Sequence, residues 1–320
     1  MSRTPQQPLP SGFGRHTPAS EVIQGIDLSG RVAIVTGGYS GIGVETTRAL
    51  ASAGATVWVP VRDRAKAADT LADLDGDVRI ADMDLQDLHS VRAFAATVNA
   101  AHDAVHILIN NAGVMACPEA RLGPGWESQL AINHLAHFVL TRELLPALRR
   151  GHARVVALSS SAHRISDIRW DDPHFTAEPY DKWKAYGQSK TANALFAVAL
   201  DARESANGIR AFAVHPGGIQ TPLQRHLPVA EMAALGWVDA SGKLTPQAAA
   251  MFKSVEAGAA TAVWCATSPQ LDGIGGVFCE DCDIAAPAGA QPYVGVHAHA
   301  VDPASAERLW ALTEAMLGDA

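Results

Sequence analysis

Residues 32–43, V-A-I-V-T-G-G-Y-S-G-I-G, constrain this chain more than any other stretch. Four apolar, mostly β-branched residues enter a turn that carries Gly37, Gly41 and Gly43, and an alanine-rich helical segment, residues 44–53, leaves it. Strand, tight glycine turn and helix in that order aim backbone N–H groups and a helix N-terminus at an anion, usually a pyrophosphate. A glycine motif alone also occurs in loops that bind nothing. Its weight therefore depends on what the rest of the chain places beside it.

The same alternation of elements runs to the end of the chain. Apolar runs predict strands at 32–36, 55–61, 78–82, 105–110, 155–159, 209–215 and 276–279. Helical periodicity predicts helices at 65–74, 88–100, 126–149, 184–203, 247–267 and 304–317. The strands are continuous apolar runs, as expected where both faces of a sheet are covered. The expectation is an α/β fold, a doubly wound parallel sheet of the Rossmann type. Residues 21–320 show no break in composition and read as one dinucleotide-binding catalytic domain. Residues 1–20, rich in Pro, Gly, Gln and Ser, read as a flexible or loosely docked arm. The irregular stretch at 216–245 is too long for an ordinary connection and reads as a substrate lid, about residues 217–245.

Composition excludes several classes. A net charge of −8 argues against a nucleic-acid partner. No apolar run is long enough to span a bilayer, so no membrane is expected. No secretory signal opens the chain. Cys117, Cys265, Cys279 and Cys282 do not make a disulfide framework for a chain this long. Together these features suit a soluble cytoplasmic protein. Cys279-Glu280-Asp281-Cys282 has no second cysteine pair to complete a zinc site, so no metal is expected.

In a sheet of this kind the ligand lies beyond the carboxyl ends of the strands. The second strand ends in Val61-Arg62, with Arg64 close by. A carboxylate there would bond the ribose hydroxyls of NAD, whereas a guanidinium suits the 2′-phosphate of NADP. NADP(H) is therefore expected ahead of NAD(H); the bland reading of Arg62 is a solvated loop charge. At the end of the third strand Asp84, followed by Leu85, either accepts a bond from the adenine amino group or caps the next helix. The fourth strand ends in Asn110-Asn111-Ala112-Gly113, whose small residues let backbone lie against a cofactor.

Tyr186 and Lys190 are four apart on a predicted helix and share one face. A free tyrosine has a pKa of about 10, and a nearby ammonium lowers it. Such a pair can act as a general acid or base on a carbonyl or hydroxyl. Ser159, Ser160 and Ser161 end the preceding strand, where a hydroxyl can hold a substrate oxygen. Asn133 is a polar amide in an otherwise apolar helical turn and needs a partner, such as a water or a lysine. His134 and His137 flank it and read as packing or surface residues.

T-G-G-Y-S-G-I-G at 36–43, N-N-A-G at 110–113, Asn133, the serine run, Y-G-Q-S-K at 186–190 and H-P-G-G-I-Q-T at 215–221 resemble the short-chain dehydrogenase/reductase family. The ordered match covers roughly residues 30–285. The resemblance implies that Tyr186 is the acid/base and that Lys190 binds the nicotinamide ribose. It implies further that Ser160 orients the substrate oxygen and that Asn133 supports a water-linked relay with Lys190. Tyr39, Ser40, Ile42 and the three glycines of the first turn would hold the cofactor. So would Arg62, Asp84, Leu85, Asn111, Ala112, Gly113, Pro216, Gly217, Ile219 and Thr221. Ser159-Ser160-Ser161-Ala162-His163, the polar insert before Tyr186 and Val214-His215-Pro216-Gly217 most resemble the retinol-dehydrogenase-like and protochlorophyllide-reductase-like branch. That branch implies a bulky, lipophilic alcohol, aldehyde or ketone. Family members often pair through their long helices, which implies a homodimer or homotetramer, with a monomer as the alternative. The competing functions are a nucleotide-binding sensor or scaffold without catalysis, and an epimerase or dehydratase that uses the cofactor internally.

Overall fold

The structure is a computed structural model that describes residues 4–290 and 293–318. Seven parallel strands form the sheet: β1 (Val32–Val35), β2 (Thr56–Val61), β3 (Asp77–Asp82), β4 (Ile107–Asn110), β5 (Arg154–Leu158), β6 (Arg210–His215) and β7 (Val277–Glu280). An eighth, β8 (Asp283–Ile284), pairs antiparallel with β7. The spatial order is β8-β7-β6-β5-β4-β1-β2-β3. Ile34 of β1 sits between Trp58 of β2 and Leu108 of β4. The order therefore reverses at β1, and the crevice beyond the carboxyl ends of β1 and β4 is where such sheets take ligands.

Helices cover both faces. They are α1 (Ile42–Ser52), α2 (Arg64–Leu71), α3 (Leu88–Ala101), α4 (Ala136–Gly151), α5 (Lys182–Glu204), α6 (Val229–Ala234), α7 (Pro246–Met251), α8 (Val255–Thr267) and α9 (Pro303–Leu317). Two apolar clusters fill the space on either side of the sheet, one around Phe94, Phe138 and Leu144, the other around Leu50, Phe212 and Trp264. The doubly wound expectation holds because strands such as β1 and β4 have no polar side to expose. α9 lies along α5, where Trp310 stacks on Phe196 at 6.1 Å and meets Phe138 at 4.6 Å. Among the described residues no helix is long and apolar enough to cross a membrane.

Two local expectations are corrected, and a third is made specific. The helix read over 126–149 begins later. Trp126–Glu127 pairs with Arg121–Leu122 in a small hairpin, and the buried Glu127 carboxylate caps the first turn by accepting from Gln129 N and Leu130 N at 2.8 and 2.7 Å. Residues Ala131–Leu135 then widen into a π-helical turn before α4. The helix read over 247–267 is two helices. Phe252–Lys253 is extended and pairs with Gly218–Ile219, and Ser254 restarts the helix by accepting from Ala257 N. Of residues 1–20, read as a flexible or loosely docked arm, the described part is docked, and its start lies at the β7–β8 edge. There Gln6 bonds the main chain of Phe278 and Ala285, and Leu9 N bonds Asp283. Residues 1–3 of that arm lie outside the described residues.

Candidate active site

The glycine turn is shaped by close approach. A Cβ on Gly43 would lie 2.2 Å from the Gly37 carbonyl oxygen, so only glycine lets α1 start this close to the end of β1. Gly37 itself takes a φ of +65°. Its neighbour across the crevice is Ala112, and Asn111 Nδ2 donates to Thr36 O at 2.7 Å. Thr36 Oγ1 accepts the amides of Asn111 and Ala112, both at 2.9 Å. Its proton goes to His137 Nε2 at 2.9 Å, and His137 Nδ1 donates to Asn133 O at 3.0 Å. A carbonyl only accepts, so Nδ1 carries a proton. Burial pushes the His137 pKa down to about 4, which keeps the ring neutral. One hydroxyl and one imidazole thus join the ends of β1 and β4 to the π-helical turn.

Asn133 presents its amide to protein. Its Oδ1 accepts from Val114 N, and its Nδ2 donates to Val114 O and Ser189 Oγ, all at 2.9 Å. Ser189 Oγ in turn donates to Tyr186 O at 2.8 Å. Sequence reasoning names a water or a lysine as the partner for this amide; its protein partners are instead the main chain after N-N-A-G and a serine on α5. A Cβ on Gly113 would stand 3.0 Å from Asn133 Oδ1 and 3.7 Å from Lys190 Nζ. Gly37, Gly43 and Gly113 thus let the end of β1, the start of α1 and the N-N-A-G segment pack backbone to backbone, with no side chain between them at the carboxyl ends of β1 and β4, and the residues fit a dinucleotide.

Tyr186 and Lys190 lie on α5, 4% and 5% exposed. Lys190 Nζ donates to Leu158 O at 2.8 Å and stands 5.6 Å from the centre of the Tyr186 ring. Burial pushes the lysine down to about 8. Sequence reasoning expects the ammonium to lower the phenol; burial instead raises it. The Tyr186 hydroxyl is pushed up to about 12, offset in part by a hydrogen bond with Ser160. Ser160 Oγ accepts Ala162 N at 3.1 Å and caps the short helical turn Ser161–Arg164. Ser159 faces elsewhere and donates to Lys190 O. The phenol is thus proton-loaded at neutral pH, with a hydroxyl and an ammonium near it.

The remaining candidates fall into three groups. Pro216 and Gly217 follow β6, and Lys253, nearly buried, lies along Gly217 and pairs with Asp281 at 2.5 Å. Ile219 meets Ile42 over Gly258, and Thr221 packs against Gly41. Tyr39 and Leu85 rest half-buried on the two core clusters, and Ser40 N closes the glycine turn onto Gly37 O. Beyond β2, Arg64 is committed to Asp82 in a bidentate pair at 2.6 and 3.0 Å. Arg62, 53% exposed, reaches only to 4.0 Å from Asp84. Asp84 does not cap α3; Asp87 does, and Asp84 accepts from Gln86 N.

Beside the phenol, Met115, Ala162 and Leu227 form an apolar wall with Trp183, Leu223, Met232 and Trp237. Trp183 meets Tyr186 edge-on at 6.5 Å and Trp237 at 6.4 Å. Glu231 on α6 bonds Lys182 Nζ at 2.5 Å and Trp183 Nε1 at 3.0 Å, which fastens the 222–234 segment to the start of α5. Sequence reasoning missed Thr36, His137, Trp183, Glu231 and Lys253 as neighbours of the site. Thr36 lay inside the first motif. The others carry no local signal of the partner they meet.

Residues 31–231 match the family model described as short chain dehydrogenase. A probable oxidoreductase of Streptomyces lividans is 46% identical over 294 residues, covering 89% of this chain and 97% of that protein. Retinol dehydrogenase 12 of Mus musculus is 36% identical over 299 residues, covering 92% of this chain and 88% of its own length. The solved structure of an uncharacterized protein from Mycobacterium paratuberculosis superposes with a TM-score of 0.71 at 34% identity, covering 94% of this chain and 97% of that one.

Proposed function

The chain belongs to the short-chain dehydrogenase/reductase family, in its retinol-dehydrogenase-like branch, and from that premise we propose that it moves hydride reversibly between NADP(H) and a bulky, apolar carbonyl or alcohol. The observation that carries this reading is the buried phenol of Tyr186, flanked by Ser160 and Lys190 and walled by apolar side chains at the carboxyl ends of the strands. Bound NADPH supplies the hydride and NADP⁺ takes it back. The first glycine turn, with Tyr39, Ser40 and Ile42, is assigned the pyrophosphate. Arg62 is assigned the 2′-phosphate, and Asp84 and Leu85 the adenine side. Asn111, Ala112 and Gly113 line the middle, and Pro216, Gly217, Ile219 and Thr221 the nicotinamide end. Arg62 suits its role because, unlike Arg64, it is not spent on a close carboxylate.

In reduction Tyr186 Oη gives its proton to the carbonyl oxygen while the Ser160 hydroxyl holds that oxygen as charge develops on it. Lys190 holds the nicotinamide ribose and supplies positive charge beside the phenol. Asn133 keeps the main chain after N-N-A-G and α5 in register. Because the Lys190 pKa lies at about 8, carbonyl reduction should be level through neutral pH. It should then fall as pH rises through that value and the ammonium is lost, which a rate–pH profile will read.

The apolar wall favours a substrate with no polar group beyond its reacting oxygen, and the relative named for retinol is in keeping with that class. Residues 217–245 act as the lid, with Glu231 as its fastening. The hydrogen bond with Lys182 holds the Glu231 carboxyl below its ordinary range, so the fastening keeps its charge at neutral pH and lets go only in acid. Glu231→Ala should raise KM for an apolar ketone several-fold with kcat little changed; an unchanged KM would remove the lid role.

The test of the whole reading is NADPH consumption over a panel of apolar aldehydes and ketones, with Arg62→Ala in parallel. Turnover with at least one member, and a preference for NADPH over NADH that shrinks about tenfold or more in the variant, is the expected result. Tight NADPH binding with no consumption across the panel would favour a non-catalytic sensor. Cofactor retained with no net oxidation during turnover would favour an epimerase or dehydratase.

A further inference from the structure

We propose that His163 is a positioning residue: its imidazole carries the carboxy-terminal strap at residues 293–301 onto the main-chain carbonyl of Ser160 and so aims the serine hydroxyl. The inference rests on the role given to Ser160 above.

The geometry assigns each ring nitrogen one task. His163 Nδ1 meets Ser160 O at 2.7 Å. A carbonyl oxygen has no proton to give, so Nδ1 carries the hydrogen. His163 Nε2 meets the main-chain amide of His297 at 3.1 Å, and an amide has only a proton to give. Nε2 is therefore bare, and the ring is the neutral Nδ1 tautomer with both nitrogens used. The ring is fully buried and packs on Phe278 of β7 at 4.9 Å. Burial also pulls its pKa down to about 4, which keeps it in that form.

The strap is held at other points too. His299 Nε2 donates to His163 O at 3.0 Å, Arg164 donates to the carbonyls of Val294 and Gly295, and Gly295 N donates to Glu280 Oε1 at 2.6 Å. Ser160 O also receives His163 N at 3.1 Å, while Ser160 Oγ receives Ala162 N. The peptide after Ser160 is thus bonded at both ends, its carbonyl by His163 and its Ser161 N–H by His215 Nδ1 at 3.1 Å. A rotation of that peptide would swing Oγ away from the place where it meets the Tyr186 hydroxyl. Misplacing a reacting group by about 1 Å can cost about 10²-fold in rate, so this buttress bears on turnover more than on affinity.

Asparagine and glutamine separate the two tasks. Asn places its amide where Nδ1 stands, and Gln places its amide where Nε2 stands. His163→Asn should keep kcat within about threefold while the strap amides at 293–301 exchange hydrogen faster. His163→Gln should keep the strap protected and lose about tenfold or more in kcat, with KM little changed. Equal kcat in the two variants, or losses that merely follow melting temperature, would overturn the proposal. NMR of the wild-type protein with isotope-labelled histidine needs no variant to fold. The His163 imidazole, assigned apart from that of His137, is expected to be neutral and protonated at Nδ1, and protonation of His163 at Nε2 overturns the proposal. Ser160→Ala serves as the separate control. If its turnover equals wild type, the serine's own role fails. If its turnover collapses while His163→Gln is unaffected, only the present inference fails.

Discussion

Tyr186→Phe is expected to lower carbonyl reduction by about 10²–10⁴-fold, the range for loss of a positioned general acid, while NADPH binds nearly as in the wild type. The substitution removes one oxygen from a ring that is otherwise packed among Met115, Ala162, Leu227 and Trp183. Phenylalanine keeps those contacts, so the fold should stay. The oxygen that is lost is the one bonded to Ser160 and held protonated by burial. The serine hydroxyl can still bond the substrate oxygen, but the general acid that protonates it is gone. Turnover unchanged in this variant would refute the tyrosine's role, whatever the affinity for cofactor.

The second large effect is on the glycine turn. Gly43→Ala puts a methyl 2.2 Å from the Gly37 carbonyl oxygen and 2.9 Å from Asn111 Nδ2, both held by the surrounding main chain. Neither neighbour is the free end of a flexible side chain, so α1 must shift away from the end of β1. The expected cost is about 1–3 kcal/mol of stability, the usual range for overpacking, read as a lower melting temperature. A loss of at least about tenfold in NADPH affinity should accompany it, since each 1.4 kcal/mol is about tenfold. Gly14→Ala is the matched control: its Cβ meets open space, and both readouts should stay at wild-type values. Wild-type affinity in Gly43→Ala would mean that this turn does not hold the cofactor.

The fold was legible because the inner strands carry no polar face, although the edge strand β3 exposes Asp77, Arg79 and Asp82. V-A-I-V and I-L-I-N can only lie in a sheet covered on both sides, and the glycines mark where backbone approaches backbone. Tyr186 and Lys190 were legible because helical spacing alone puts them on one face. What escaped sequence reasoning depends on residues far apart in the chain. Thr36 and His137 meet across 101 positions, and Glu231 reaches Lys182 across 49, with no local pattern to announce either contact. The break at Phe252–Lys253 had a local signal, the cap residue Ser254, but the helical run on both sides masked it. The pairing with Gly218–Ile219 that favours the break is itself long-range. The Glu127 cap is similar: a carboxylate between Trp126 and Ser128 reads as helical until its burial shows that its oxygens serve the free amides of the first turn. The phenol's pKa stands above its ordinary value, and the sequence does not show it because spacing reports the ammonium but not the burial that raises the phenol.

The central claim is that hydride passes between a nicotinamide and a carbonyl at the Tyr186 phenol. The most direct measurement uses NADPH deuterated at the transferring carbon, an apolar aryl ketone and mass analysis of the alcohol. The wild-type protein should place one deuterium on the former carbonyl carbon, and Tyr186→Phe should place almost none in the same time. Alcohol formed without deuterium, or no alcohol from any apolar ketone or aldehyde while NADPH stays bound, would contradict the account.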